Sequence, residues 1–119
     1  KCAASFAGVS DIEIIVKDAR RFTNSKIVKK QMGTNSDKLE AASPINFAKK
    51  INIPILLIHG TNDKVVPIKH SRKMADELKD YNKDVHYVEI EDANHHLEVQ
   101  SHRIKTLEEM VNFFDKNLK

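Results

Sequence analysis

The sequence predicts an α/β fold in which about three parallel strands, at roughly residues 2–7, 54–58 and 85–90, are flanked by helices. Two observations predict it. Apolar runs alternate with stretches of helical periodicity, the signature of βαβ packing. The middle run, Pro54-Ile55-Leu56-Leu57-Ile58, is apolar on both faces, as in a central strand covered from both sides.

In chain order, the first strand is the small-residue run Cys2 to Ala7, ending at Gly8. It carries no charge or proline to protect an outer edge, so another strand is expected beyond it, or self-association through strand 2–7. A helix begins after Ser10-Asp11, a capping pair, with Ile12, Ile15, Val16 and Ala19 on one face. From Thr23 to Ala48 the pattern is broken helical pieces: Ile27, Val28, Gln31 and Met32, a stop at Gly33, then Ser36 to Ala42 and a turn at Ser43-Pro44. Pro54 belongs at the first position of the second strand, where its missing N–H does least harm. A helix from about Ile68 to Tyr81 aligns Met74, Leu78 and Tyr81. The third strand mixes apolar and polar residues, which fits an edge or half-covered position. The last helix, about Gln100 to Asn117, carries Ile104, Leu107, Val111, Phe114 and Leu118 as an amphipathic stripe, read as core packing.

Composition narrows the function classes. The 119 residues, 40% hydrophobic and 31% charged, suit one globular domain or a piece of one. The net charge of +3 comes from scattered lysines without interleaved aromatics, which argues against a nucleic-acid partner. The longest basic run, Lys26 to Lys30, reads as a solvated helix face. No apolar run approaches the ~20 residues of a membrane span, so no membrane partner is expected. The single cysteine, Cys2, excludes an internal disulfide framework and a multi-cysteine zinc site, and favours a cytoplasmic setting. Cys2 is expected to be buried. The chain opens on Lys1 and runs straight into a strand, so the natural amino terminus is expected elsewhere.

The chemistry-bearing residues sit in two loops, each following a strand: His59-Gly60-Thr61-Asn62-Asp63 and Asn94-His95-His96. If the strands are parallel neighbours, ~4.8 Å apart, both loops leave the same carboxyl edge of the sheet. An aspartate and a histidine from different loops can then pair, in the chain order of a Ser…Asp…His triad. Other readings of the same residues stand beside this one. Asp63 also suits a turn or helix entry, and His95 and His96 also suit a solvated loop. A metal site is disfavoured, because the histidines have no HExxH spacing and no third ligand nearby. His59 reads as a satisfied structural histidine, and His70, His86 and His102 as surface residues. No nucleophile is present: Gly8, Gly33 and Gly60 form no Gly-x-Ser-x-Gly elbow. Ser5, Ser10 and Ser43 read as strand, cap and turn serines.

These residues resemble the carboxyl-terminal third of an α/β-hydrolase catalytic domain of the prolyl oligopeptidase family, which includes acylaminoacyl-peptidases and dipeptidyl aminopeptidases. The matching stretches are Lys1 to Asp11, Ser43-Pro44-Ile45, Pro54 to Asp63, Val66-Pro67, Ser71, Asn94 to Leu97 and Arg103. The helix ending Phe113 to Leu118 resembles the family's terminal helix. The resemblance implies that Asp63 is the triad acid and His95 the triad base, with His96 a neighbour. It also implies that residues 1–119 are the C-terminal part of one peptidase domain, and that the nucleophile-bearing half and any N-terminal propeller are absent from them.

The expected function is that of a serine-type peptidase acting through an acyl-enzyme on a peptide or acyl-peptide, without cofactor or metal. This chain would be inactive alone, and its partner is the remainder of the hydrolase domain. The alternatives are an esterase or other acyl hydrolase of the same fold, and a non-catalytic hydrolase-like binding module.

Overall fold

β2 (Ile55–Gly60) is the centre of the molecule, and every one of its residues is buried. In the computed structural model, which describes residues 1–19 and 25–119, it pairs in parallel with β1 (Ala3–Phe6) on one side and β3 (Val85–Ile90) on the other. The strand order is thus the chain order, and the expected three-stranded parallel sheet is what forms.

Alternation along β2 divides the core into two layers. Ile55 and Leu57 point to one face, where they meet Ala48, Met74, Ala75 and Leu78. Leu56 and Ile58 point to the other, against Ile90, Ala93 and Phe113. Helix α4 (Lys69–Asp80) covers the first face, together with a 3₁₀ helix over Pro44–Lys50. The second face is covered by α5 (Gln100–Asn117). A strand covered on both sides must be apolar at consecutive positions, and complete burial of a leucine or isoleucine is worth about 1.5–3 kcal/mol. Leu56, Ile58 and Leu78 are all fully buried.

The remaining helices pack mainly against one another. α1 (Ile12–Asp18) is capped as the sequence implies, with the Asp11 carboxylate accepting from the Ile14 N–H at 3.3 Å. α2 (Ser25–Met32) buries none of its residues, in keeping with a solvated basic face. It stops at Gly33, whose φ of +81° suits glycine. The start expected at Thr23 lies outside the described residues. α3 (Ser36–Ala42) leads into Ser43, whose buried hydroxyl donates to Leu39 C=O at 2.7 Å and accepts from Ile12 N–H at 2.9 Å. Ser43 therefore ties α1 to α3 rather than marking a simple turn, and Pro44 opens the 3₁₀ helix as a first-turn proline.

Several expectations need correction. Pro54 stands just before β2, not within it, and its carbonyl accepts from Ala3 N–H at 3.0 Å. Tyr81 caps α4 and is exposed, whereas His70, expected at the surface, is fully buried with neither ring nitrogen hydrogen-bonded. Ser10 is buried and donates to the His70 carbonyl; Asp11 is the cap. The stripe on α5 is the largest difference. Ile104, Leu107, Val111 and Leu118 are exposed, and only Phe114 of that set packs on the core. The helix instead turns Thr106, Met110 and Phe113 inward. At about 100° per residue, this inward face lies roughly 110° round the helix from the expected stripe. The helix meets the β2–β3 layer through its two largest inward groups, Met110 and Phe113, and that contact fixes its rotation.

Candidate active site

Parallel pairing places Gly60 beside Ile90, so the chain leaves β2 and β3 side by side at one edge of the sheet. Backbone bonds then stitch the two loops together. Thr61 N–H donates to Ile90 C=O and Asn62 N–H to Ala93 C=O, each at 3.0 Å, while Asp92 N–H donates to Thr61 Oγ1 at 2.8 Å. Gly60 permits this approach, because a Cβ there would collide with the Ala93 backbone.

The first loop wraps around Asp63. Its Oδ1 accepts the N–H groups of Val65 at 2.8 Å and Val66 at 2.9 Å. Its Oδ2 accepts His95 Nδ1–H at 2.8 Å, in a contact where the carboxylate side chain is wholly buried and the imidazole is 29% exposed. Burial pushes the Asp63 carboxyl up, but the His95 hydrogen bond and the Val66 and Val65 amides outweigh it and hold the group below the ordinary aspartate range. A carboxylate can only accept, so the proton at this contact sits on His95 Nδ1, and in the neutral ring Nε2 is the acceptor.

The second loop holds His95 from behind. Asp92 and Leu97 adopt positive φ values of +56° and +50°. Arg103 Nη1 from α5 donates to the carbonyls of Leu97 at 2.7 Å and Glu98 at 2.8 Å, which anchors the loop to the helix. Phe6, at the end of β1, lies 6.5 Å from the His95 ring, centroid to centroid. His96 stands edge-on to it at 5.4 Å. The two adjacent histidines therefore differ in role: His95 alone reaches the carboxylate.

Of the residues singled out in the sequence, Asp63 and His95 are brought together, and His59 is buried and hydrogen-bonded at both ring nitrogens. Its Nδ1 partner, Ser71, is a buried residue that sequence reasoning passed over as a contributor to the site. Helical spacing back from Leu78 and Met74 places positions 70 and 71 on the buried face of α4, and that was the available signal. His86 and Glu109 form an exposed surface pair away from the site. Among the described residues, no hydroxyl hydrogen-bonds His95, and no group of three His, Cys, Asp or Glu side chains is arranged to hold a metal ion.

The sequence profile of the prolyl oligopeptidase family matches residues 1–119. The chain belongs to the prolyl oligopeptidase family. It is 31% identical over 117 residues to the uncharacterized peptidase YuxL of Bacillus subtilis, covering 96% of this chain and 17% of that protein. In structure it resembles a puromycin-hydrolyzing peptidase of Mycobacterium tuberculosis, with a TM-score of 0.89, 27% identity and coverage of 99% of this chain and 18% of the other. An acylaminoacyl peptidase of Pyrococcus horikoshii superposes with a TM-score of 0.85 at 25% identity, covering all of this chain and 20% of that one. The chain thus spans about a fifth of the length of these family members. Its three parallel strands and flanking helices are a portion of the α/β-hydrolase fold.

Proposed function

We propose that this chain supplies the acid and base of a serine peptidase active site, Asp63 and His95, to a nucleophile carried on an upstream part of the same protein. The observation that carries the reading is the 2.8 Å contact between Asp63 Oδ2 and His95 Nδ1, in a family whose named relatives are peptidases. In this reading His95 Nε2 takes the proton from the serine hydroxyl as its oxygen attacks the acyl carbon. The same proton passes to the leaving amine as the C–N bond breaks, giving an acyl-enzyme. A water molecule then attacks the acyl carbon, losing a proton to His95, which returns it to the serine oxygen as the ester bond breaks and the acid product leaves. Asp63 holds the ring in the required tautomer throughout and offsets the charge of the imidazolium. No step calls on a cofactor. By likeness to the acylaminoacyl and puromycin-hydrolyzing relatives, the substrate is a peptide or acyl-peptide.

The remainder of the hydrolase domain is the partner this reading requires. Two surfaces suit it: the open outer edge of β1, and an adjoining, largely apolar groove between β1, Pro44, Ile51 and the buried His70 ring. A fluorophosphonate probe tests the reading. The full-length protein is expected to label at a serine outside these residues, and the 119-residue chain alone to remain unlabelled. Labelling of the short chain, or none of the full-length protein, would overturn it.

A further inference from the structure

We infer that the buried His59–Ser71 pair positions the Asp63 carboxylate, setting its angle toward His95 without touching substrate; this rests on the reading of Asp63 as the acid. His59 is fully buried at the end of β2. Its Nε2 lies 2.8 Å from the Val66 carbonyl, which can only accept, so Nε2 carries the proton. In the neutral ring Nδ1 is then a lone pair, and the Ser71 hydroxyl at 2.7 Å donates to it. Both nitrogens are occupied by fixed partners, so the ring has one tautomer and one orientation.

That orientation reaches Asp63 by two routes. His59 Nε2 lies 3.4 Å from Asp63 Oδ2, the carboxylate oxygen that holds His95, so the ring packs against that oxygen while its N–H is directed to the Val66 carbonyl. The Val66 peptide is also a bridge: its C=O is held by His59, and its N–H donates to Asp63 Oδ1 at 2.9 Å. Turning the His59 ring would move both oxygens of the acid at once. A neutral ring suits this place. A lysine or arginine there would neutralise Asp63 and weaken its hold on a developing imidazolium, whereas a neutral imidazole confines the oxygen without adding charge. Ser71 is the lock, delivered from α4 on the far side of the ring.

The inference predicts how the active site fails when the lock is removed. In the full-length protein, saturating fluorophosphonate kinetics separate the limiting rate of serine modification from probe affinity. Ser71→Ala is expected to lower the limiting rate roughly ten- to a hundredfold, the scale of a misplaced catalytic group, with affinity within about twofold of wild type. Ser71→Thr, which keeps the hydroxyl, restores most of the rate. In an Asp63→Asn background, adding Ser71→Ala changes little, because its effect passes through Asp63. A Ser71→Ala rate equal to wild type, or the same fold loss on both backgrounds, would overturn the inference while leaving Asp63 as the acid. A wild-type rate in Asp63→Asn itself would remove the reading on which it rests. Should Ser71→Ala fail to accumulate as folded protein, Ser71→Cys, similar in size but a weak donor, carries the same test.

Discussion

Asp63→Asn in the full-length protein is expected to lower turnover about 10⁴-fold, the scale on which a triad fails when its histidine takes the wrong tautomer. The local geometry says why so small a change should act so strongly. At Oδ1 two backbone N–H groups converge, so the amide oxygen of an asparagine must stay there. Its NH₂ is then forced into the Oδ2 position, facing His95 Nδ1–H donor to donor. The ring relieves the conflict by moving its proton to Nε2. That nitrogen can then no longer accept the proton of a serine. His95→Ala should cost as much or more, since the base itself is gone. Stability carries a second signature. Hydrogen bonding keeps the folded Asp63 carboxyl below the ordinary range, so its contribution is complete above the unfolded-chain value of about 3.9 and is lost as pH falls through the lower folded value. The stability difference between wild type and Asp63→Asn, measured by denaturant unfolding, should therefore narrow under acid conditions. A variant with undiminished turnover would contradict the assignment.

Gly60→Ala should damage both the fold and the site. A Cβ at this position would lie 2.7 Å from the Ala93 carbonyl carbon and 3.0 Å from its Cβ, and nearer still to its oxygen. The carbonyl atoms belong to the backbone of the loop that carries His95 and the Cβ is fixed to it, so no flexible side chain can give way. The Ala93 carbonyl also accepts the Asn62 N–H, and Gly60's own carbonyl accepts from Asp63 N–H at 3.2 Å. Relief of the clash must spread the two loops and lengthen the contact between acid and base. Overpacking of this kind typically costs about 1–3 kcal/mol, and a displacement of about 1 Å can cost a hundredfold in rate. The expected result is a lowered unfolding midpoint together with a turnover loss out of proportion to the fraction unfolded. A variant of wild-type stability and rate would mean that the loops are not held at this distance.

The difference between what the sequence made legible and what it concealed is physical. β2 was readable because a strand buried on both faces is apolar at consecutive positions, as Ile55 to Ile58 are, before the buried His59 at its end. The meeting of Asp63 and His95 followed from parallel pairing, since adjacent parallel strands deliver their following loops to one edge. Neither deduction requires side-chain detail. The rotation of α5 was not legible. Its sequence offers an exposed aliphatic stripe and a Met110–Phe113 face, and periodicity does not say which one the sheet takes. His70 and Ser71 were on the buried face of α4 by spacing, but polarity argued for the surface at His70. His70 is buried with neither ring nitrogen hydrogen-bonded, while Ser71 is buried where it finds a polar partner in His59. That pairing is long-range, joining the end of β2 to the first turn of α4, and local pattern does not reveal it.

In the proposed site His95 turns one nitrogen to Asp63 and the other to a serine supplied from outside these residues. A crystal structure of the full-length protein with a phosphonate bound at its nucleophile tests that directly. The expected result is His95 Nδ1 within hydrogen-bond distance of Asp63 Oδ2 and Nε2 within hydrogen-bond distance of the modified serine oxygen or its phosphonyl group. A modified serine on a different edge of the sheet, with His95 still facing solvent, would contradict it.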